Sequence, residues 1–246
     1  MPKFFVEPEK VSENKIIIDT DDVNHIRRVL RLKEDDVIEV SDTTGMDYTA
    51  VIEEMTEKSV ICKITETRKS DTESNLRVTL FQGIPKGSKM DYIIEKTTEL
   101  GICRIVPVMM SRCVVKLENA KAEQKKQERW QKIAVAAAKQ SGRGIIPKIE
   151  MPVTVKEALE MMKKSDLALV PYECEASNRL KPELQSNNNA VDISILIGPE
   201  GGFDPAEISK IHEAGIKTVT LGKRILRTET AGEAVLAMIM YELGDI

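Results

Sequence analysis

From residue 76 to the end of the chain, short apolar runs alternate with longer stretches of helical periodicity, and this alternation constrains the fold more than any other feature. Strand-length runs stand at 77–83 (RVTLFQG), 104–110 (RIVPVMM), 167–172 (LALVPY), 193–198 (ISILIG) and 218–222 (TVTLG). Between and after them, helical patterns occupy 88–100, 118–140, 155–165, 204–214 and 228–243. A strand followed by a crossover helix rejoins its sheet in the same direction, so this half of the chain is predicted to be α/β with a parallel sheet. The stretch 176–190, with Pro182 and the run Asn187, Asn188 and Asn189, reads as a connector.

The first 70 residues have another rhythm. The runs KFFV, KIIID (15–19), DVIEV (36–40), YTAVIEEM and SVICKIT are separated by Asp, Gly and Ser, which predicts a small barrel or sandwich. One helical stretch, DDVNHIRRVLRLK, interrupts it, with Asp21 or Asp22 as cap and Ile26, Val29 and Leu30 as the buried stripe. Asn24, Arg27, Arg28 and Arg31 then face outward. The segment KSDTESN (69–75) holds no apolar residue, so two domains are expected, 1–72 and 73–246.

Composition removes several classes of function. Of 246 residues, 41% are hydrophobic and 31% charged, the balance of an ordered globular protein. A net charge of −4 means that a nucleic acid must be met by a local basic patch, not by bulk charge. The acidic excess lies in the first 75 residues, where RRVLRLK is the exception. Cys62, Cys103, Cys113 and Cys174 lack the CxxC spacing of a zinc or redox site. With no long apolar span and no leader-like start, the expectation is a cytoplasmic chain without a membrane segment.

The most informative stretch is ISILIGPEGGFDPAEI (193–208), in which an apolar strand ends in Gly198, Pro199, Glu200, Gly201 and Gly202 before Asp204 and Pro205 open a helix. The glycines thus sit at the C-terminal end of a strand, where open α/β sheets bind ligands. An ordinary tight turn is the other reading. The spacing matches neither GxGxxG nor GxxxxGK[ST], which disfavours dinucleotide and nucleoside triphosphate sites. A second strand-to-turn unit, TVTLGKRILRTETAG, carries Gly222, a basic loop with Lys223, Arg224 and Arg227, and a helix opened by Thr228 or Thr230.

Taken together, LIGPEGGF, LGKRILRTETA, QGIPKGSKMDYIIEKTTELG, RWQKIAVAAAKQSGR and HIRRVLR resemble the RsmE family of 16S small-subunit ribosomal RNA uridine-N3 methyltransferases, within the SPOUT superfamily. The resemblance implies a PUA-like RNA-binding β-barrel followed by a catalytic domain whose end is threaded into a trefoil knot. Connection rules alone would predict an unknotted chain. It also implies a homodimer, S-adenosyl-L-methionine as cofactor, no metal, and small-subunit ribosomal RNA as partner, naked or in the assembled subunit. By motif matching, the cofactor loops are Pro171 and Tyr172, then Ile197 with Gly198 to Gly202, then Leu221 to Ala231. Within the last, Leu221, Gly222, Ile225, Leu226, Arg227, Thr230 and Ala231 are the residues carried over. Ile197, Leu221, Ile225 and Leu226 offer the apolar slot that an adenine ring needs.

Methyl transfer to uridine N3 requires loss of its proton and stabilisation of negative charge on the flanking carbonyls. Arg227 is the expected cation, with Glu200 or Glu229 orienting it or accepting the proton; a structural pairing of Arg227 with one of these carboxylates is the competing reading. Lys96 stands where related enzymes carry an arginine, but it lacks the planar fork. Expected RNA contacts are Arg27, Arg28, Arg31, Lys89, Arg143 and Arg224. Methylation of a different site or atom, and a ribosome-assembly RNA-binding protein without catalysis, are the rival functions.

Overall fold

The computed structural model describes residues 3–114 and 120–246. They form two compact units, Met1–Glu73 with Ala138–Ile146, and Ser74–Ala137 with Pro147–Ile246. A single cut between 72 and 73 does not capture the short segment 138–146. It belongs to the first unit because Arg143 Nη2 and Nε hold the Glu73 carboxylate at 2.6 and 3.3 Å, and Ser41 Oγ donates to Gly144 O at 2.8 Å.

The first unit is a five-stranded sheet built from β1 (Lys3–Phe5), β2 (Lys15–Ile18), β3 (Val37–Ser41), β4 (Met46–Met55) and β5 (Val60–Lys69). Its order is β1-β3-β4-β5-β2, antiparallel apart from the β1–β3 pair. The long β4–β5 ladder shifts register at Thr49/Ala50 and again at Ile52/Glu54. Such bulges increase twist and let a small sheet coil around its own core. That core holds Phe4, Ile16, Ile18, Ile38, Val40, Ala50 and Ile52, the inward half of each alternating strand.

The helical segment departs from expectation. A short α1 (Asp22–Asn24) passes directly into a π-helical turn at His25–Val29, in which Leu30 N–H reaches back to His25 O at 2.9 Å. Because a π turn closes over five residues, positions 29 and 30 rotate off the face that an α-helix would have buried. Val23 and Ile26 are buried, whereas Val29 is 66% and Leu30 38% exposed, so the expected stripe of Ile26, Val29 and Leu30 is corrected to Val23 and Ile26. Neither Asp21 nor Asp22 is a side-chain cap. Asp21 has αR dihedrals and makes no capping bond, and Thr20 Oγ1 accepts from Asp22 N–H at 3.3 Å instead.

The second unit is wholly parallel in its pairing. Its strands are β6 (Arg77–Gly83), β7 (Arg104–Met109), β8 (Lys148–Ile149), β9 (Val153–Thr154), β10 (Leu167–Pro171), β11 (Asp192–Ile197) and β12 (Lys217–Val219). The order is β12-β10-β11-β6-β7-β8, and β9 also pairs with β7. The two-residue strands β8 and β9 leave no periodicity to read. Alternate residues of each strand enter two cores. Val78, Leu80, Ile105, Leu169, Ile193, Ile195 and Ile197 pack with α2 (Lys89–Glu99), α3 (Ala120–Gln140), α5 (Leu180–Ser186) and α7 (Thr228–Leu243). Phe81, Val106, Val108, Val170 and Leu196 pack with α4 (Val155–Met162) and α6 (Pro205–Glu213).

The expected start of the helical pattern 118–140 lies outside the described residues. Its end is as expected, with Gly142 at φ +72° and Arg143 N–H returning to Ala138 O at 3.0 Å. The connector 176–190 contains α5. Trp130 is core, as expected.

Arg143, expected to touch RNA, is corrected by its burial: only 4% of it is exposed, and Glu73 holds it. Removing one partner of such a pair strands the other charge. Arg143→Ala is expected to lower unfolding free energy by about 3 kcal/mol, measured by urea denaturation.

Candidate functional site

The loops that follow β10, β11 and β12 converge at the C-terminal edge of the parallel sheet and enclose a cavity of about 440 Å³. Sheet order explains the convergence, since β12, β10 and β11 are consecutive neighbours and all point the same way. Pro171, Tyr172 and Glu173 come from the first loop, residues 197–203 from the second and 220–228 from the third, with Lys89 and Ala231 completing the lining.

The middle loop is shaped from both ends. Gly202 N–H bonds to Pro199 O at 2.9 Å, and Gly202 sits at φ +68°, where a side chain is strained. Asp204 then caps α6, accepting from Ala206 N–H at 3.0 Å while Glu207 Oε2 accepts from Asp204 N–H at 2.9 Å. The loop after β7 clamps this turn from outside. Ser111 N–H donates to Glu207 Oε1 at 2.8 Å and Arg112 Nη1 to Gly201 O at 3.0 Å. The first loop is held just as firmly. Glu175 accepts from Asn178 N–H, Thr218 Oγ1 and Ser177 N–H, and these hydrogen bonds draw its carboxyl down to about 2.

Below the cavity lies a buried relay. Gln82, at the end of β6, donates from Nε2 to Thr228 Oγ1 at 2.9 Å, and Thr228 donates onward to Gly198 O at 2.6 Å. Gln82 Nε2 also donates to Gly83 O at 3.0 Å, and its Oε1 is buried with no partner among the described residues. Three elements are thereby tied together: the end of β6, the turn after β11 and the first residue of α7. Gly83 permits their approach, because a Cβ there would stand 2.7 Å from Pro199 N.

Charge is divided between a paired set and a free set. Lys89 Nζ lies 3.1 Å from Glu200 Oε1 and 3.3 Å from Glu229 Oε2, and Lys86 N–H donates to Glu200 Oε1 at 3.1 Å. Hydrogen bonding to Glu200, with Glu229 assisting, raises the Lys89 ammonium against its partial desolvation. Burial pushes the Glu200 carboxyl up, but hydrogen bonds from its own backbone and Lys86 N–H, and then Lys89, outweigh it and leave the group lowered. The cation that the two carboxylates hold is therefore Lys89, not Arg227. Arg227 begins α7 through its carbonyl, which accepts from Ala231 N–H at 2.8 Å. Arg227 lines the cavity as an exposed residue, and its guanidinium has no ion pair or hydrogen bond among the described residues.

Of the residues carried over by motif, Pro171, Tyr172, Ile197, Gly198, Pro199, Glu200, Gly201, Gly202, Leu221, Gly222, Ile225, Leu226, Arg227 and Ala231 line the cavity, as do Lys89 and Arg224. Ile225 does so from a position 84% exposed, so it is a rim residue more than a wall. Thr230 and Glu229 are outside the lining. Lys96 is also outside it, in the last turn of α2, where Nζ is 2.8 Å from both Glu95 and Glu99, which raise it further. Sequence reasoning missed Gln82, Glu173, Phe203 and Thr228 as site residues. Phe203 stands edge-on to Tyr172 with ring centroids 6.0 Å apart, forming an aromatic wall. Gln82 stands at the end of a strand that also carries Arg77 and Thr79, so its polarity alone does not mark it.

The fit to an adenosyl group is good on chemical grounds. Ile197, Leu221 and Leu226 with the aromatic pair supply apolar surface beside the glycine turns.

Comparison with known proteins gives consistent results. The model for an RNA methyltransferase domain matches residues 72–240, and that for an RNA methyltransferase PUA domain matches 18–65. Ribosomal RNA small subunit methyltransferase E of Bacillus subtilis (strain 168) is 34% identical, over 98% of this chain and 97% of that protein. The protein of that name from Mesomycoplasma hyopneumoniae (strain 232) is 34% identical, over 94% and 95%. The crystal structure of a ribosomal RNA small subunit methyltransferase E from Neisseria gonorrhoeae bound to S-adenosyl methionine superposes with TM-score 0.85 at 33% identity, covering 100% of this chain and 99% of that one.

Two glycines near the relay should respond oppositely to the same substitution. Gly83→Ala forces the β6 end away from Pro199 and is expected to cost about 1–3 kcal/mol of stability. Gly232→Ala, whose Cβ would meet Gln82 Oε1 at 3.5 Å, an ordinary contact inside a helix, is expected to be neutral or to gain up to about 1 kcal/mol. Urea denaturation of both variants checks the pair.

Proposed function

The chain belongs to the ribosomal RNA small subunit methyltransferase E family, and from that premise we propose how its own residues carry out S-adenosylmethionine-dependent methylation of uridine N3 in small-subunit ribosomal RNA. The observation that carries the reading is the cavity itself: three strand-end loops, two of them glycine turns, converge on one apolar slot beside an unpaired guanidinium. When bound, the cofactor supplies an electrophilic methyl group on a positively charged sulfur.

In this reading Tyr172, Phe203, Ile197, Leu221 and Leu226 exclude water from the slot, and the glycine turns hold the cofactor through the backbone. Arg227 is the fixed cation near the base. As the N3 proton leaves for solvent, negative charge spreads to the uracil carbonyls, and a guanidinium with no competing carboxylate is free to stabilise it. Glu200 is held ionised by Lys86 N–H and Lys89, which suits an anchoring anion better than a proton acceptor. Together Glu200 and Glu229 fix Lys89 at the cavity wall. Lys96, paired with its helix neighbours, positions no reacting atom here.

The return of β12 to the far side of β10, after the chain has left β11, supports the knotted threading implied by family resemblance. A homodimer is supported by α7, which carries apolar residues all round: Val235, Leu236, Ile239 and Met240 are buried, yet Met238 and Tyr241 are exposed, Tyr241 by 76%. A helix with that pattern is normally covered on both sides, and Tyr92 of neighbouring α2 is also exposed. A ribosomal RNA substrate supports action in the cytoplasm, and no helix among the described residues is long and apolar enough to cross a membrane.

Nucleoside mass spectrometry is the direct test. N3-methyluridine should vanish from small-subunit ribosomal RNA in cells lacking the protein and return when purified protein, S-adenosylmethionine and isolated subunits are combined; persistence of the modification would send the reading to another site or to a binding role. Arg227→Ala should slow single-turnover methylation about a hundredfold or more at saturating RNA and cofactor, while leaving cofactor affinity within about threefold. Tyr241→Glu should convert the dimer to monomer in sedimentation, because a charge buried between two apolar faces is not tolerated.

A further inference from the structure

Among the described residues two carboxylates line the cavity, Glu173 and Glu200, and the fold treats them differently. Glu200 is held by Lys86 N–H and Lys89, whereas Glu173 makes no ion pair or hydrogen bond among the described residues. Glu175, two positions on, is engaged in fastening the first loop through Ser177, Asn178 and Thr218. Arg112, whose charge also reaches Tyr172, donates to Gly201 O at 3.0 Å. Glu173 is nonetheless closely placed. A Cβ on Gly202 would stand 2.8 Å from Glu173 Oε1, so the carboxylate rests against the glycine turn, at a residue whose φ of +68° already favours glycine. Two acceptor oxygens are thus fixed at the cavity wall with their hydrogen-bonding capacity open to a ligand.

The place of that carboxylate in the slot selects what it meets. It follows Tyr172 directly and abuts Gly202, the residue before Phe203, so it stands at the edge of the aromatic wall that these two rings form. Adenine is the one broad apolar surface of S-adenosylmethionine, and that wall with Ile197, Leu221 and Leu226 suits it. The group attached to adenine is a ribose with two neighbouring hydroxyl donors. A carboxylate presents two acceptors side by side, and O–H···O⁻ bonds are short and strong. The carboxylate of the methionine tail has its complement in the third loop, at Lys223, Arg224 and Arg227. We propose that Glu173 recognises the ribose of the cofactor, accepting hydrogen bonds from its 2′- and 3′-hydroxyls, and thereby selects ribonucleoside ligands for the cavity. The proposal rests on the reading of this cavity as the S-adenosylmethionine site.

Calorimetric titration of the full chain tests it as a cycle between side chain and ligand. The probes are S-adenosylhomocysteine, its 2′,3′-dideoxy analogue, and 5′-methylthioadenosine, which lacks the amino-acid tail. Glu173 is exposed, so Glu173→Ala and Glu173→Gln should unfold at the parent's temperature. Glu173→Ala is expected to weaken S-adenosylhomocysteine and 5′-methylthioadenosine alike, by about thirtyfold each, and Glu173→Gln, which keeps one acceptor oxygen, by about fivefold. The parent should bind the dideoxy analogue about thirtyfold more weakly than S-adenosylhomocysteine, and Glu173→Ala should bind that analogue no worse than the parent does. If Glu173→Ala weakens S-adenosylhomocysteine but not 5′-methylthioadenosine, the carboxylate holds the ammonium of the tail and the proposal is overturned. It is overturned too if the dideoxy analogue loses as much from the substitution as S-adenosylhomocysteine does, because the contact is then not with the hydroxyls. Equal binding of every probe by Glu173→Ala and parent has the same consequence, and leaves the cavity a cofactor site. If the parent itself binds none of the three, it is the cofactor reading beneath the proposal that has failed.

Discussion

The buried relay from Gln82 through Thr228 to Gly198 is the interaction on which the second unit's chemistry depends. Strand-end loops are ordinarily the most mobile parts of an α/β sheet. Here two of the three that make the cavity are fastened to a common point in the floor, by hydrogen bonds shielded from water and therefore stronger than their exposed counterparts. The outer clamps add to it. Arg112 and Ser111 grip the middle loop from the β7 side, and Glu175 gathers the first loop onto β12. A site that uses backbone groups to hold its ligand needs this rigidity, because a backbone contact has no side-chain freedom with which to recover from misplacement.

The division of charge follows from the same architecture. Lys89 opens α2 and Glu229 lies in the first turn of α7, and these two helices pack against each other. Glu200 projects from the turn between them. Lys89 with its two carboxylates carries one net negative charge, so a positive potential in the slot comes from Lys223, Arg224 and Arg227 together, set against Glu173. Pairing one cation tightly and leaving another free is how a site containing both signs can still present a directed positive potential.

Much of this was legible in the sequence, for identifiable reasons. Strands β6, β7, β10 and β11 were readable because two-sided burial writes near-continuous apolar runs. The turn 198–202 was readable because Asp204 and Pro205 punctuate it. The two-residue strands β8 and β9 were not, since pairing so short leaves no period. Arg143 is expected at the RNA from its family block, and a block of sequence does not reveal the Glu73 that lies 70 positions away in the chain and in contact in the fold. Gln82 belongs to the site only through tertiary approach, whereas Glu173 and Phe203 stand next in sequence to Tyr172 and Gly202, in loops the motifs already mark. The Arg227 pairing was left open between two carboxylates, and the fold gives both of them to Lys89. The helix at 22–29 misled because periodicity templates assume 3.6 residues per turn.

The π turn at His25–Val29 ties the facing of this segment to chain length. A π turn is equivalent to an α-helix into which one residue has been inserted without being paired out of register elsewhere. Every side chain after the insertion point is rotated by about a quarter turn, so the segment has two alternative faces separated by a single residue of length. Loss of one residue between His25 and Leu30 would restore α-helical phase, bring an aliphatic side chain back over Ile26, and swing the arginines to new bearings without altering the sheet that carries them. The outward face of this segment is thus specified by residue count as much as by residue type.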